Sequence, residues 1–248
     1  MPKFFVSNNQ IKENIIKIIG NDVNHITNVL RLNINDEIII CNKDMGDNYI
    51  TRIIEINKDK IICQMKEKLN KEELKVEITI FQGLPKADKM ELIIQKCTEL
   101  GVKEITPVSM ERCVVKLDAK TEDKKVKRWQ KIAEAASKQC RRNSICNINY
   151  VTNIKNICNV VKDYDIILVP YEEEQKTSFK EILHSYVNAK NLKIAIVIGP
   201  EGGFDKKEID SLKENGAKII TLGKRILRTE TVAIAMTSAI MYEFNELG

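Results

Sequence analysis

The sequence lacks the groupings that mark a metalloprotein or a disulfide-stapled domain. Its seven cysteines (Cys41, Cys63, Cys97, Cys113, Cys140, Cys146 and Cys158) are scattered without a Cys-x-x-Cys pair, and only two histidines, His25 and His184, accompany them. Structural zinc sites draw on closely spaced Cys and His, so no metal is expected, and the thiols read as small hydrophobes. Long apolar runs are missing too. Met1–Lys17 has no apolar core with a small-residue cleavage site, and no later stretch approaches the ~20 apolar residues that span a bilayer. A cytoplasmic chain without a membrane partner is the expectation. Nor is there a large excess of one charge: 40 Lys and Arg against 35 Asp and Glu leave a net +5, too little by itself to imply a polyanionic partner.

What is present divides at the charged stretch Lys66–Glu73, giving expected domains of residues 1–70 and 74–248. Before it lie short strand-like segments, Glu37–Cys41, Tyr49–Ile56 and Lys60–Met65, separated by turn-rich pieces and one helical pattern at Asp22–Leu30. This grammar predicts a small β-barrel or compact sheet. After it, strands and helices alternate. Val76, Ile78 and Ile80 alternate with polar residues and lead into Gln82-Gly-Leu-Pro85. Ile93, Ile94, Cys97 and Leu100 follow at helical spacing, stopped by Gly101. A second helix over 122–141 presents Val126, Trp129, Ile132, Ala136 and Cys140 on one face. Asp165–Val169, Lys193–Ile198 and Lys218–Leu222 are short and nearly wholly apolar, as strands covered on both faces are. An α/β domain with a mainly parallel sheet follows. The second helix and its end carry Lys124, Lys125, Lys127, Arg128, Lys131, Lys138, Arg141 and Arg142. Such a stripe suits a phosphate backbone or a solvated helix face equally.

Ligands of open α/β sheets sit beyond the carboxyl ends of strands. Two loops there are candidates. Gly199-Pro-Glu-Gly-Gly203 follows Ile198 and leads through Phe204 into Asp205-Lys-Lys-Glu208, which resembles a helix N-cap with a carboxylate three residues on. The loop matches neither the Rossmann glycine pattern nor a P-loop, which disfavours nicotinamide cofactors and ATP. The second loop, Gly223-Lys-Arg-Ile-Leu-Arg-Thr-Glu-Thr231, sets Arg225, Arg228 and Glu230 between a buried strand and a small-residue helix. On the residues alone, each loop is equally a ligand site or a structural turn.

Together these segments resemble one family. Ile198-Gly-Pro-Glu-Gly-Gly203 with Leu222–Thr231 is similar to the paired signature of the RsmE family, which methylates N3 of a uridine in 16S ribosomal RNA. Gln95–Val102, Thr106-Pro107, Glu111–Lys116, Arg128–Asn143 and the ending Val29-Leu-Arg31 match in the same order. One departure is Lys3, which stands before Phe4-Phe5 where the family usually has arginine. The charge is kept and the bidentate fork is lost.

The resemblance implies a SPOUT trefoil-knot domain beside a PUA-like barrel, a homodimer, and S-adenosylmethionine as donor. It implies donor contacts from Ile198, Gly199, Pro200, Gly202, Gly203, Leu222, Gly223, Ile226, Leu227, Thr229 and Thr231, the two threonines being equally readable as helix caps. Catalytic candidates are Glu201 and Glu230 as bases and Arg228, with Arg225, as electrostatic groups. RNA contacts fall to Lys3, Arg31, Arg112, Lys116, Arg141, Arg142 and Arg225 on 16S rRNA or the small ribosomal subunit. Two other readings stay open: a related enzyme acting on ribose 2′-oxygen, and a non-catalytic RNA-binding assembly factor. The apolar final helix, Thr231–Phe244, is the expected dimer surface.

Overall fold

The computed structural model describes residues 1–70 and 75–247. They form two compact units, Met1–Glu72 with Lys138–Ile145, and Glu73–Ser137 with Cys146–Gly248.

The first unit is a six-stranded mixed sheet. Its strands are β1 (Lys3–Val6), β2 (Ile11–Lys12), β3 (Ile15–Ile19), β4 (Glu37–Asn42), β5 (Asn48–Ile56) and β6 (Lys60–Leu69), in the spatial order β1-β4-β5-β6-β3-β2. Only β1 and β4 run parallel. Alternation sets one face inward: Ile16 and Ile18 of β3 are buried while Ile15 and Ile19 point out, the period of two that a half-covered strand requires. Phe4, Val6, Ile26, Ile38, Ile40, Ile53 and Ile61 complete that core. The helical pattern resolves into a single turn, α1 (Asn21–Asn24), continued by a π-helical turn over His25–Val29. β6 carries the sheet through Leu69, so Lys66–Leu69 is strand rather than linker. Residues 71–74 of the expected boundary, and Gly248, lie outside the described residues.

Lys138–Ile145 groups with this unit although the sequence reading gave it to the second domain. The cause is local chemistry. The Lys3 ammonium donates to the Arg141 carbonyl at 2.7 Å and to Asn143 Oδ1 at 2.6 Å, and Lys138 pairs with Asp22 at 2.8 Å.

The second unit is built on an all-parallel sheet. Its strands are β7 (Val76–Gly83), β8 (Glu104–Ser109), β9 (Asn147–Ile148), β10 (Thr152–Asn153), β11 (Ile166–Pro170), β12 (Leu192–Ile198) and β13 (Lys218–Ile220). The order is β10-β8-β7-β12-β11-β13, with β9 also on β8. Its helices are α2 (Lys89–Glu99), α3 (Ala119–Gln139), α4 (Ile154–Asn159), α5 (Phe179–Ser185), α6 (Lys206–Glu214) and α7 (Thr229–Glu243). The apolar runs of β11 and β12 are buried along their length, as strands covered on both faces must be. α3 starts three residues earlier than periodicity suggested and ends at Gln139, leaving Cys140 beyond it. Ala133 is buried where Ile132 is only half-buried. Burial pushes the thiol of Cys97 up to about 12 and those of Cys41 and Cys63 up to about 11, so these three stay protonated packing groups. No described helix is long and apolar enough to cross a membrane.

One topological feature places the site. β13 lies at the sheet edge beyond β11, whereas α7 packs against α2, β7 and β12. The connection between them, Thr221–Arg228, therefore passes the carboxyl ends of β11 and β12, where the loop after Ile198 also emerges.

Candidate donor-binding site

The loop after β12 is fixed from three sides. Asp205 caps α6, its carboxylate accepting from the Lys207 amide at 3.0 Å while Glu208 Oε2 accepts from the Asp205 amide at 2.9 Å. This is the reciprocal box expected from Asp205-Lys-Lys-Glu208. Phe204 is buried and meets Tyr171 edge-on at 6.5 Å. Gly203 has φ of +68°, a backbone conformation that favours glycine, and a Cβ there would fall 2.7 Å from Glu172 Oε1, the tip of a side chain that can swing aside. On the far side the end of β7 lies against the loop. A Cβ on Gly83 would stand 2.7 Å from the nitrogen and Cδ of Pro200.

The second loop is tied to the first by one hydroxyl. Thr229 is buried, and its Oγ1 donates to the Gly199 carbonyl at 2.7 Å and accepts from Gln82 Nε2 at 2.8 Å. The helix-cap reading of Thr229 does not hold here, because Arg228 is the N-cap of α7 and no side chain caps it. Gln82 is a site residue that the sequence reading passed over. Its signal was a long polar side chain at the buried end of the strand, after Ile80 and Phe81.

Between the loops lies a cavity of about 320 Å³ lined by Ile198, Gly199, Pro200, Glu201, Gly203, Phe204, Ile226, Leu227, Arg228 and Thr229, with Lys89, Pro170, Glu172 and Val232 closing it. A smaller one of about 130 Å³ adjoins it and is lined by Leu222, Gly223, Lys224, Arg225, Ile226 and Leu227 against Pro170–Glu172. The two segments singled out in the sequence thus face a common space, except for Gly202, Glu230 and Thr231. Gly202 is on the outer side, its carbonyl accepting from Arg112 Nη1 at 3.2 Å, and Thr231 is exposed on the first turn of α7.

The charges in the larger cavity are organised around Lys89, which had not been singled out. Its Nζ lies 3.1 Å from Glu201 Oε1 and 3.2 Å from Glu230 Oε2. Glu201 also accepts from the Lys86 amide at 3.0 Å. Burial pulls the Glu201 carboxyl upward, but backbone amides and the Lys89 ammonium outweigh it and hold the group below the usual carboxylate range. The bond to Glu201 raises Lys89, against the opposing effect of burial, with Glu230 adding to it. The Lys89 ammonium thus lies between two carboxylates.

The nominated RNA contacts divide between the units. In the first, Arg31 is exposed with φ of +53° and Arg141 is exposed with φ of +60°. Arg142 is half-buried, and Lys3 is spent on the segment that carries both arginines. An ammonium meets two separate oxygen acceptors well, which accounts for lysine at this position. In the second unit, Lys116 and Arg225 are exposed, whereas Arg112 holds Gly202. The basic helix is less free than its composition suggests. Lys127 pairs with Asp123 at 2.8 Å, Arg128 grips Glu91 through Nε at 2.8 Å and Nη2 at 2.9 Å, and Lys125 lies over Trp129.

Comparison with known proteins decides the family. An RNA methyltransferase domain matches residues 72–241 and an RNA methyltransferase PUA domain matches residues 18–66. Ribosomal RNA small subunit methyltransferase E of Bacillus subtilis is 39% identical over 98% of this chain and 97% of its own. The chain belongs to the ribosomal RNA small subunit methyltransferase E family. The Neisseria gonorrhoeae member bound to S-adenosyl methionine superposes with a TM-score of 0.81 at 28% identity, over 98% of this chain and 97% of that one. A Legionella pneumophila protein in complex with the bound cofactor SAM gives 0.80 at 28% identity, over 97% and 96%. Family membership bears out the fold read from the sequence: a PUA-like first unit and a parallel-sheet methyltransferase unit. It also weighs against the reading as a non-catalytic assembly factor.

Proposed function

We propose that this chain transfers the methyl group of S-adenosylmethionine to N3 of a uridine in 16S rRNA of the small ribosomal subunit. The observation that carries the reading is the buried Thr229 hydroxyl, which locks both glycine-containing loops around one cavity in a fold that relatives present with that donor bound. The residues fit the group. The cavity volume falls within the ~300–1,000 Å³ of small-molecule sites, and Ile198, Phe204, Leu227 and Val232 give it apolar walls. Glu172, against the bare Cα of Gly203, offers a carboxylate to sugar hydroxyls. Lys89, Arg228 and Glu201 bring both signs, which a donor carrying a sulfonium, an ammonium and a carboxylate requires.

When bound, the donor supplies an electrophilic methyl on a positively charged sulfur. The chain's part is to hold the uracil in line with it and to manage the N3 proton. We assign Arg228, at the cavity mouth, to the negative charge that N3 deprotonation spreads onto the neighbouring carbonyl oxygens. Glu201 and Glu230 are the carboxylates placed to receive the proton. Arg31, Arg141 and Arg142 on the first unit, and Lys116 and Arg225 on the second, are assigned to the RNA backbone, whose contacts position the target without reading its sequence. The return of α7 from the edge strand β13 to β7 and β12 supports the trefoil path that the family resemblance implies. The expected place of action is the cytoplasm.

Purified protein with labelled donor is expected to modify small-subunit RNA or particles from a strain without this activity, and nucleoside analysis should place the label on the uracil base. Label on ribose, or none where donor binding is demonstrated, overturns the reading.

We propose a homodimer through α7. The support is that this helix is apolar around most of its circumference. Met236, Ile240 and Met241 are buried, while Ala235 and Tyr242 are exposed and Ile234 and Ala239 are half-exposed. Ala235 and Ala239 border a groove of about 430 Å³ that also touches Leu222, Gly223 and Leu227 of the donor loop. Ala235→Glu is expected to yield monomer in analytical ultracentrifugation, and a dimer persisting in this variant moves the interface elsewhere.

A further inference from the structure

Lys89 stands where a cation is least expected. It is the first residue of α2 after the N-cap Asp88, and the helix macrodipole places partial positive charge at that end. The approach to it is strained as well: Ala87, two residues before, has φ of +52°, a left-handed conformation that non-glycine residues pay to adopt. A chain that accepts both has put Lys89 where it is for its neighbours, Glu201 and Glu230. By formal charge Lys89, Glu201 and Glu230 sum to −1, and Arg228 and Glu172, which line the same cavity, offset one another. Glu230 Oε2 is buried and has no hydrogen-bond partner beyond the ion pair. A surplus negative charge thus borders a partly closed cavity, with Lys89 and Glu201 on its lining.

The reaction changes one charge in that space. As the S–CH₃ bond breaks, its electron pair stays on sulfur, which passes from cation to neutral thioether. The carbon bonds to N3, and the N3 proton passes by way of Glu201 or Glu230 to water. We propose that the Lys89–Glu201–Glu230 cluster reads the charge on the donor's sulfur, holding the sulfonium form and releasing the thioether product. Lys89 here is a positioning residue. It keeps two carboxylates from the loop after β12 and the start of α7 on the same side of the cavity and trims their charge from −2 to −1. The inference rests on the donor reading above and extends it from which molecule binds to which charge state is preferred.

The test is binding, without RNA or turnover. By calorimetry the unmodified protein should bind S-adenosylmethionine about tenfold more tightly than its thioether product S-adenosylhomocysteine, the size expected of one charge pair several ångströms apart at intermediate dielectric. An analogue with a protonated amine in place of the sulfonium should side with the donor. Glu230→Gln and Glu201→Gln, which keep shape and remove one negative charge, should each collapse the preference toward unity. Equal affinity for donor and product in the unmodified protein overturns the proposal. So does a preference that survives both substitutions. If neither molecule binds at all, the donor reading itself fails, which is a distinct result. Circular dichroism confirms that each variant is folded, and the comparison of three ligands on the unmodified protein stands whatever a variant does.

Discussion

Thr229→Val should lower stability by about 2–3 kcal/mol and weaken donor binding at the same time. The substitution is nearly isosteric, so packing changes little. What is lost is the only oxygen that joins Gly199 to Gln82. Both partners are in the buried interior of the site, and a buried polar group deprived of its bond costs about 1–3 kcal/mol. Gln82 Nε2 keeps a bond to the Gly83 carbonyl at 3.1 Å, so the main penalty falls on the Gly199 carbonyl, at the point where the donor loop leaves β12. The matched control is Thr231→Val. Thr231 is exposed on the same helix turn, and surface changes of this kind stay within about 0.5 kcal/mol. Urea unfolding and calorimetric titration of both variants separate the cases. Equal behaviour of the two would mean that the hydroxyl of Thr229 is not the tie that the geometry makes it.

Gly83→Ala is expected to damage the enzyme more than any substitution within the Gly-Pro-Glu-Gly-Gly loop's outer turn. The added methyl would sit 2.7 Å from Pro200 backbone nitrogen and 3.0 Å from the Gly199 carbonyl carbon. Those neighbours are main chain and cannot swing aside, so β7 and the loop must separate. Overpacking of this kind costs about 1–3 kcal/mol. Displacing a binding loop by a fraction of an ångström to an ångström can lower turnover on the order of a hundredfold. At Gly202 the same addition meets Arg112 Cβ at 3.1 Å, on the outer side of the loop, and a smaller effect is expected. Steady-state kcat/KM for both variants decides the ranking. A Gly202→Ala variant more impaired than Gly83→Ala would put the donor on the other face of the loop.

That contrast shows what the residues disclosed in advance. The buried strands Asp165–Val169 and Lys193–Ile198 were legible because a both-faces-covered strand leaves an unbroken apolar run, and the Asp205–Glu208 box because capping is a contact within four residues. The two donor loops were legible as a pair through the family resemblance. Gln82, Lys89 and Glu172 were not. Each acts across the sheet on a residue more than thirty, and in two cases more than a hundred, positions away in sequence, and no periodicity encodes such a meeting. Glycine content marks a tight turn but not which way each residue of it faces, and Gly202 lies on the side of Arg112. Lys3, read as an RNA contact from its charge, has its acceptors at Arg141 and Asn143, far away in sequence. The basic helix shows the same limit, since composition counts charges and only packing shows that Arg128, Lys127 and Lys138 are already matched by acids.

The grouping of Lys138–Ile145 with the first unit has a bearing on synthesis. Domains tend to fold as units while the chain emerges from its N-terminus, yet this unit lacks the acceptors of Lys3 and the partner of Asp22 until residues 138–143 have been made. By then β7, α2, β8 and α3 have already been synthesised. The unit that begins first is therefore completed late, and a nascent chain stopped near residue 72 carries a sheet whose edge strand β1 still waits for its anchor.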